Sequence, residues 1–381
     1  MNEQKICIIG DGLAGLTAAI ILSKENLKID LYCSEKKINK NLDNRTTAIS
    51  KSNYQYIKKI LTLDKQSFFW PCKKINLFFE DKNKIINFFN FEEKNKNLMY
   101  IFQNKDLKKK LDKIILRKKK IKIIRKNIVD INSTEGFIKS DKKKLFYDLI
   151  ILCTGSHSKL YASIDDGRSI QKNYKEVAIT AIIKHKTKIE IVSQFFLKEG
   201  PLAILPFKKK VFSTVWSVSS EFYNIKKNNI EKVLSEKLRV LLKDKSIKNI
   251  LNIQSFPIKL NLKTKYFKKN VLILGDGLHT VHPMAGQGFN LVLRDIKKLQ
   301  ELISKTMKLG LLIKESFMLK DFYNARKPEN NLFGFGINLT NIFFKDNKYF
   351  SSLKKGILSN ISKFSFIKKI SQSISDRGIL F

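Results

Sequence analysis

The chain opens with two short apolar runs on either side of a glycine-rich turn. Residues 6–9 form the first run, and an amphipathic stretch through Ser23 leads from the turn to a second, strand-like run at 28–33. Short apolar runs are typical of buried strands, whereas the stretch between them has helical periodicity. The pattern predicts a βαβ unit, in which both strands belong to one parallel sheet.

The middle of the chain changes to a series of strands. Residues 51–65 and 104–116 have helical periodicity, and the uninterrupted apolar run 148–153 predicts a fully buried parallel strand. Between about 165 and 265, apolar segments separated by turns predict strands at 177–184, 189–197, 202–206 and 211–218. We therefore expect an antiparallel sheet inserted within a parallel one.

The charge balance bears on the class of partner. Lys+Arg 74 against Asp+Glu 34 gives a formal net charge of +40, which ordinarily suggests nucleic acid or an anionic membrane as partner. The lysines are spread over almost every segment of a chain also rich in Ile, Asn and Phe, so an A/T-rich coding bias explains the excess. Because the sequence contains no recognised nucleic-acid module, we expect no nucleic-acid partner, and attraction to a membrane surface stays open.

The cysteines and the N terminus indicate the compartment. Cys7, Cys33, Cys72 and Cys153 are far apart and form no C-x-x-C pair, as expected of buried thiols in a reducing cytosol. The chain enters a strand at once, without the pattern of a signal peptide, and no apolar run reaches the ~18 residues that cross a bilayer. We expect a cytoplasmic protein, with peripheral attachment to the inner face of the membrane as an open alternative.

A G-x-G-x-x-G turn joins the first strand to the first helix, at Gly10, Gly12 and Gly15. The first glycine permits a tight turn, the second lets the backbone approach a pyrophosphate, and the third allows the helix to pack on the strand. Leu13 and Ala14 complete the turn, where the helix N terminus stabilises phosphate charge. The strand before the turn and the helix after it predict a dinucleotide site.

The acidic residue that usually binds the adenosine ribose is displaced in this chain. It is expected at the end of the second strand, about 20 residues after the glycine turn, where Cys33 stands. The nearest carboxylate is Glu35. Either Glu35 reaches the ribose or the contact is missing, and we favour Glu35.

The segment 274–295 constrains the function most tightly. Gly275 lets the backbone turn, and Asp276 places a carboxylate at the carboxyl end of a strand, where open α/β sheets bind ligands. Gly286 and Gly288 allow close backbone approach before a helix begins. A hydroxyl-rich ligand suits the carboxylate, and the free N–H groups of the helix would face an electron-rich ligand.

Four segments in a fixed order carry a family resemblance. They are the glycine turn, the D-x-R-x-x-A-I-S segment at 43–50, the strand ending at Thr154 and Gly155, and the segment from Gly275 to Asn290. Together they resemble the FAD-dependent aromatic hydroxylases related to p-hydroxybenzoate hydroxylase and, within that group, the ubiquinone-biosynthesis hydroxylases. The most specific stretches are 200–206, 215–217 and 282–290, and the likeness covers nearly the whole chain.

The fold that follows is α/β: a Rossmann-like FAD-binding domain with an inserted antiparallel β-sheet substrate domain and C-terminal helices. The predicted division assigns 1–75, 101–164 and 269–330 to the FAD-binding domain, 76–100 and 165–268 to the substrate domain, and 331–381 to the C-terminal helical region. The Phe- and Lys-rich pattern of that last region fits either a membrane surface or packing on the FAD-binding domain.

The resemblance also implies the cofactor-binding residues. The FAD pyrophosphate would lie on Gly10, Gly12, Leu13, Ala14 and Gly15. The remainder of the cofactor would meet Glu35 at the ribose, Arg45 and Gln103 at the phosphate and ribityl region, Ile128 at the adenine, and Asp276 at a ribityl hydroxyl. The pyrimidine edge of the isoalloxazine would be wrapped by Gly286, Gln287, Gly288, Phe289 and Asn290. No side chain is assigned to catalysis, and no metal is expected.

The family's reaction is a further implication of the resemblance. A reduced nicotinamide, NADH or NADPH, would deliver hydride to the flavin, O2 would add at the flavin C4a position, and the resulting hydroperoxide would hydroxylate the ring of a polyprenylated phenol on the route to ubiquinone. The protein must position ring and flavin and exclude water. Two alternatives stay open: an isoprenoid-directed flavin oxidoreductase without oxygen insertion, and a non-catalytic FAD-bearing subunit of a ubiquinone-biosynthesis complex.

Three places depart from the family pattern. The family usually has Asp-Gly where Thr154 and Gly155 stand, and small alanines where Gly277 and Leu278 stand. Cys33 is the third departure. The missing aspartate is associated with flavin and nicotinamide contacts, so the identity of the electron donor is the property most affected.

Histidines and aromatic clusters allow competing interpretations. His279 and His282 are three residues apart, but they lack Cys or carboxylate partners nearby in the sequence, so we favour a structural or flavin-proximal role over zinc. The aromatic clusters at 68–70 and 88–89 either line an apolar tunnel for a polyprenyl tail or belong to the core.

Overall fold

The structure is a computed structural model that describes residues 3–344 except 36–42, 62–67, 83, 94–95, 129, 141–142, 157, 165–168, 187–188, 248 and 284–285. Its strands are β1 (Gln4–Ile9), β2 (Leu27–Cys33), β3 (Thr46–Ser50), β4 (Trp70–Cys72), β5 (Lys74–Asp81), β6 (Lys84–Glu92), β7 (Met99–Gln103), β8 (Ile121–Arg125), β9 (Asp130–Asn132), β10 (Phe137–Ser140), β11 (Lys143–Phe146), β12 (Leu149–Leu152), β13 (Ser169–Lys184), β14 (Val192–Leu197), β15 (Gly200–Lys208), β16 (Val211–Ser219), β17 (Asn249–Lys263), β18 (Phe267–Lys268), β19 (Val271–Ile273) and β20 (His279–Thr280). Its helices are α1 (Leu13–Leu22), α2 (Lys51–Leu61), α3 (Asn104–Ile115), α4 (Ser220–Lys226), α5 (Ile230–Leu242), α6 (Gly288–Lys308) and α7 (Met318–Phe344).

A six-stranded sheet forms the centre of the first domain, in the order β18-β19-β12-β1-β2-β8. Neighbouring strands pair in parallel from β19 to β8, and β18 joins β19 antiparallel. All of β12 and residues 6–9 of β1 are buried, as expected of central strands in a parallel sheet covered on both faces. The predicted Rossmann-like α/β class is confirmed by this arrangement.

Helix α1 follows the glycine turn and is apolar on every side. Its residues 15–22 are all buried, and it packs against α3 and α6. A helix without a polar face is stable only when it is surrounded by protein. Its position behind the turn therefore fixes the turn firmly against the sheet.

The inserted domain is an eight-stranded sheet in the order β20-β17-β13-β16-β15-β14-β5-β6. Its neighbours pair antiparallel except β14 and β5, which are parallel. Strands β5 and β6 come from the first hundred residues, so the chain visits this sheet twice before β17. The predicted antiparallel insert is confirmed.

Two helices within the insert were missed by the sequence pattern. Helices α4 and α5 lie in the region that was predicted to hold strands alone. Helix α5 buries Leu234, Ser235 and Leu238 along one side, next to a core that contains Trp216. The spacing of these leucines is helical, and the strand-rich flanks concealed it.

A third sheet, in the order β3-β7-β4, joins the D-x-R segment to the domain junction. Strand β3 pairs with β7 so that Thr46 lies opposite Gln103, and the N–H of Asn104 donates to the carbonyl of Arg45 at 2.9 Å. Residues 45 and 104 are thereby held side by side.

The predicted domain boundaries remain predictions, although two observations bear on them. Strands β5 and β6 lie in the same sheet as β13 to β17, and β18 and β19 lie in the sheet of the first domain. Helix α7 begins at Met318, before the predicted start of the C-terminal region at 331, and residues 345–381 of that region lie outside the described residues.

The four cysteines are free and buried, as predicted of their thiols. Within the described ranges, none of the helices combines the length and the apolar character that crossing a bilayer requires.

Candidate active site

Three turns meet at the carboxyl ends of the neighbouring strands β1, β12 and β19. A Cβ added to Gly10, whose φ is 116°, would lie 2.3 Å from the carbonyl oxygen of Cys153, and one added to Gly275 would lie 2.9 Å from Cβ of Ala14. A Cβ on Gly12 would meet no described atom within 4 Å. The first two glycines are required by packing, whereas the third leaves open space over the turn.

A cavity of about 1080 Å³ opens in front of these turns and extends to the inserted sheet. The first domain contributes Gly12, Leu13, Ala14, Gly155 and Asp276 to its wall. The inserted sheet contributes mostly apolar side chains, among them Ile75, Leu77, Ala178, Ile182, Val192, Phe196, Leu205 and Phe256. The cavity therefore has a polar, glycine-rich end and an apolar end.

The loop before α6 and the first turn of that helix form another part of the wall. Gly286, Gln287, Gly288, Phe289 and Asn290 all line the cavity. The first-turn N–H groups of a helix have no intrahelical acceptor, so this end of α6 favours an electron-rich ligand. The Oε1 atom of Gln287 is buried and has no hydrogen-bond partner among the described residues. A bound ligand with a donor group would satisfy it.

Asn290, in the first turn of α6, has a different role from the preceding residues of the wall. Its Oδ1 accepts from the N–H of Ser50 at 2.9 Å and from Nδ2 of Asn53 at 2.8 Å. Its Nδ2 donates to the carbonyls of Ala48 at 3.0 Å and Gly286 at 3.1 Å. The side chain thus ties the loop to β3 and α2 and is fully occupied by protein groups.

Arg45 is paired within the protein. Its Nε and Nη2 donate to Asp43 Oδ1 and Oδ2 at 2.8 and 2.7 Å, and Nδ2 of Asn104 donates to the same carboxylate at 2.9 Å. Burial would raise the pKa of Asp43, but the hydrogen bonds from Arg45 and Asn104 outweigh it and hold that pKa below its usual value. Asp43 and Asn104, which the sequence had not singled out as ligand-positioning residues, fix the direction of a guanidinium at the cavity wall.

The remaining predicted residues lie away from the cavity wall. Glu35 is exposed beyond the end of β2 and accepts from Nδ2 of Asn127 at 2.8 Å, which places it beside the segment that contains Ile128. Gln103 is buried, and its Nε2 donates to the carbonyl of Asn44 at 3.4 Å. Gly10 and Gly15 form the inner side of the glycine turn.

The two histidines of the motif hold different carboxylates. His279 Nε2 donates to Asp295 Oδ2 at 2.6 Å, and His282 Nε2 lies 2.9 Å from Glu176 Oε2. Both pairs are buried. The two carboxylates lie 16 and 106 residues from their histidines, so the sequence around the histidines does not reveal these pairs.

Asp295 is the centre of a larger buried network. Arg326 Nε donates to Asp295 Oδ1 at 2.6 Å and also contacts Glu329. Burial would raise the pKa of Asp295, but Arg326 and His279 outweigh it and lower that pKa. The network joins β20, α6 and α7, so the two elements on either side of the loop before α6 are held against the last described helix.

The aromatic clusters of the sequence belong mainly to the core. Phe69 packs against Tyr54 and Phe102 at ring-centroid distances of 5.2 and 4.9 Å, and Phe89 is buried. Neither cluster lines the cavity among its described wall residues. The core interpretation of 68–70 and 88–89 is therefore favoured, and Phe91, Phe196, Phe256 and Phe289 supply the aromatic part of the described wall.

These features fit FAD. The open space over Gly12 suits a pyrophosphate, Asp276 lines the wall where a ribityl hydroxyl is expected, and the unsatisfied Gln287 oxygen faces the place expected for the isoalloxazine edge.

Two family models match the chain. One is described as a FAD binding domain and matches residues 138–309, and the other is described as a pyridine nucleotide-disulphide oxidoreductase and matches residues 4–194, half of the chain.

The chain is also similar to individual proteins. It is 26% identical over 276 residues to a mitochondrial ubiquinone biosynthesis monooxygenase COQ6 of Dictyostelium discoideum, covering 58% of this chain and 56% of that protein. It is 26% identical over 201 residues to the ubiquinone hydroxylase UbiL of Rhodospirillum rubrum, covering 51% and 46%. The matched segments thus span about half the length of these curated relatives.

A solved structure shows the same fold. PqsL from Pseudomonas aeruginosa, a probable FAD-dependent monooxygenase, superposes with a TM-score of 0.76 at 14% identity and covers 93% of this chain and all of that one. With the family models and the curated relatives, the arrangement of the three turns shows that the chain belongs to the FAD-dependent oxidoreductases and that FAD is its cofactor.

Proposed function

We propose that the protein is a monooxygenase that uses FAD, NADH or NADPH, and O2 to hydroxylate the aromatic ring of a polyprenylated phenol in ubiquinone biosynthesis. The relatives named above support the reaction class and the pathway. The observation that carries the proposal is the continuity of the cavity, which runs from the glycine turns to the apolar face of the inserted sheet.

The apolar end of the cavity suits the proposed substrate. Its wall is formed mainly by aliphatic and aromatic side chains of the inserted sheet, and the polar side chains among them include Thr180, Gln194, Ser213, Thr214, Asn252, Gln254 and Lys259. Apolar surfaces with few polar groups bind ligands that are largely hydrocarbon and carry one polar end. A phenol ring with a prenyl tail matches that description.

The residues of the chain would bind and orient rather than react. Asp276 would accept a hydrogen bond from the ribityl chain, Gln287 would meet the isoalloxazine, and Asn290 would keep the loop in place. Bound FAD would supply the redox chemistry, taking hydride from the nicotinamide and activating O2. The apolar wall would keep water away from the reacting atoms.

A second candidate is a non-catalytic FAD-bearing subunit of a ubiquinone-biosynthesis complex. The observation that favours it is Thr154, which stands where the family usually has an acidic residue associated with nicotinamide contacts and which is hydrogen-bonded to Tyr161. An isoprenoid-directed oxidoreductase that adds no oxygen is the other enzymatic alternative.

We also propose a cytoplasmic location with peripheral attachment to the inner face of a membrane. What supports attachment is an apolar stripe on α7, where Leu332, Phe335 and Leu339 are 52, 41 and 65% exposed. Ala325 and Pro328 continue the stripe at helical spacing. The net charge of +40 favours an anionic lipid surface as the occupant of this stripe.

Product analysis under labelled oxygen tests the proposed reaction. Purified protein with FAD, NADH or NADPH and a short-chain prenylphenol is incubated under ¹⁸O2, and we expect a product that contains one ¹⁸O atom. Nicotinamide oxidation that yields only peroxide, or a changed product without ¹⁸O, contradicts hydroxylation. Bound FAD without substrate-stimulated nicotinamide oxidation favours the subunit role.

A variant of the apolar end provides the matched control for this assay. Ala178 lines the cavity on β13, and Ala178→Phe would fill the space of the ring or its tail. We expect it to lose product formation while FAD stays bound, whereas Val240→Phe, at a site on α5 that is 72% exposed, keeps both.

A further inference from the structure

Tyr161 lies in the short 3₁₀ helix Lys159–Ser163 that follows the turn after β12. Its side chain is buried beside that turn, with 4% of the residue exposed. The tyrosine is not part of the glycine motifs or of the resemblance, and its position behind the cavity wall is visible only in the folded chain.

The Tyr161 hydroxyl holds the turn through two hydrogen bonds. It donates to the carbonyl of Gly155 at 2.6 Å and accepts from Oγ1 of Thr154 at 3.1 Å. Burial raises the pKa of Tyr161, so the hydroxyl keeps its proton at neutral pH and remains a donor. Gly155 lines the cavity, so the contact acts directly on the wall.

The same hydroxyl occupies the space beside Gly277. A Cβ added to Gly277 would lie 2.0 Å from the Tyr161 hydroxyl oxygen and 2.3 Å from the ring carbon that carries it. An alanine at 277 is therefore incompatible with Tyr161 in this position. Gly277 belongs to the 3₁₀ turn Gly275–Gly277 that also carries Asp276.

Two departures from the family pattern are thus joined in space. Thr154 stands where the pattern has an aspartate, and Gly277 stands where it has a small alanine. The first provides a hydroxyl that donates to Tyr161, and the second provides the space that Tyr161 fills. Neither change is explained alone, whereas both follow from the presence of the tyrosine.

We propose that Tyr161 is a positioning residue of the flavin site, which ties the turn after β12 to the turn after β19 in place of the acidic residue expected at 154. The proposal rests on FAD binding and is independent of the proposed hydroxylation. It assigns Thr154, Tyr161 and Gly277 to one unit that sets the distance between Gly155 and Asp276 on the cavity wall.

The unit also changes the charge of the site. With a neutral Thr154, the turn behind the cavity wall carries one negative charge fewer than it would with aspartate, which favours a reduced, anionic flavin. Thr154→Asp would place a carboxylate next to the Tyr161 hydroxyl and near Asp276. We expect that variant to lower the midpoint potential of the bound flavin.

FAD titration of four proteins tests the unit. Wild type, Tyr161→Phe, Gly277→Ala and the double variant Gly277→Ala/Tyr161→Leu are compared by quenching of flavin fluorescence, with the visible spectrum of the bound flavin as a second readout. Loss of the hydroxyl in Tyr161→Phe removes two hydrogen bonds and should weaken FAD binding about tenfold. It should also shift the visible spectrum, because the wall at Gly155 and Asp276 moves.

The double variant gives the decisive comparison. Gly277→Ala should weaken FAD binding more than Tyr161→Phe does. The double variant should bind FAD at least about tenfold more tightly than Gly277→Ala alone, because Tyr161→Leu removes the clash. If Gly277→Ala fails to fold, restored folding of the double variant supports the unit, and a double variant that also fails overturns it. FAD binding by Gly277→Ala equal to that of wild type also overturns it.

A matched control separates the unit from general loss of a tyrosine hydroxyl. Tyr56 donates to Oε1 of Gln300 at 2.9 Å on the same domain and does not line the cavity. Tyr56→Phe should leave FAD affinity and the flavin spectrum unchanged. A protein that binds FAD in this pattern and forms no hydroxylated product defeats the proposed function and leaves the role of Tyr161 standing.

Discussion

Among single residues, Asn290 holds the loop before α6 in place through its side-chain amide. Both of its polar atoms are directed to protein groups on β3, α2 and the loop itself. Gln287, three residues earlier, has the opposite arrangement, because its Oε1 has no partner within the described part of the chain. The Asn290 amide therefore holds the loop, whereas the Gln287 amide can bind the ligand.

Replacing Asn290 by alanine should destabilise the protein before it affects chemistry. The change removes the hydrogen bonds that the Asn290 amide makes with the N–H of Ser50 and with the carbonyls of Ala48 and Gly286. We expect the free energy of unfolding to fall by about 2–4 kcal/mol, measured by urea denaturation. Asn87→Ala, which removes an exposed side-chain contact with Asn90, should change it by less than about 0.5 kcal/mol. Equal stabilities of the two variants would contradict the assigned role.

The sequence reveals those site residues whose geometry is local. Gly10 and Gly275 could be identified because a turn at a strand end demands glycine within a few residues of the strand. Asn104 and Arg326 could not, because each acts on a residue that the fold brings from a distant element. Tyr161 could not either, because its contact with Gly277 forms only in the folded chain. Glu35 follows from its place after a strand end and Ile128 from the family resemblance, and their contact with FAD stays a prediction.

At the scale of elements, one carboxylate connects a strand and two helices. Asp295 of α6 binds His279 of β20 and Arg326 of α7 while it is completely buried. Because the surrounding charges lower its pKa in the folded state, the ionised group contributes stability above the unfolded pKa of about 3.9. That contribution is lost as the pH falls through the lower, folded pKa.

Asp295→Asn should therefore lower the free energy of unfolding at neutral pH, and the difference from wild type should become smaller in acid. It leaves the buried Arg326 without its main counter-ion, so we expect a loss of about 3–5 kcal/mol at pH 7. The difference from wild type should shrink as the pH falls below about 3.9. Denaturation curves from pH 7 to pH 3 measure it. Asp112→Asn, in an exposed pair with Lys108, is the control, and a deficit in Asp295→Asn that is constant with pH would argue against an ionised Asp295.

The elements that could be predicted from the sequence are those with an unbroken pattern. The buried strand 148–153 corresponds to β12, and the helix 104–116 to α3. Helix α5 was missed because its leucines follow a region of strands, and β17 was missed because a bulge interrupts its alternation of apolar and polar residues.

On the scale of the whole molecule, two sheets enclose one cavity, and a charged surface surrounds them. The polar end of the cavity belongs to the first domain and the apolar end to the insert. Gly334, next to the stripe on α7, packs against Leu262 of β17. The proposed membrane surface therefore adjoins the sheet that forms the apolar end of the cavity. This arrangement would place a membrane close to the site of a prenylated substrate.

Vesicle sedimentation measures the proposed attachment. Wild-type protein should sediment with vesicles of phosphatidylglycerol and phosphatidylcholine more than with phosphatidylcholine alone, and less as the salt concentration rises. Leu332→Ser/Leu339→Ser should reduce binding, because it removes apolar groups that would enter the lipid. Leu116→Ser, at a site 76% exposed on the end of α3, should not. Equal binding of all three proteins would rule out the stripe as the attachment surface.

The most direct measurement is a titration of the purified protein with FAD, followed by its visible absorbance. We predict that one FAD binds per chain and that Asp276→Ala weakens binding about tenfold or more, because a charge-assisted hydrogen bond to the ribityl chain is lost. A chain that stays colourless after reconstitution, or an Asp276→Ala variant that binds FAD like wild type, would contradict the convergence of the glycine turns and the Asp276 turn on one flavin.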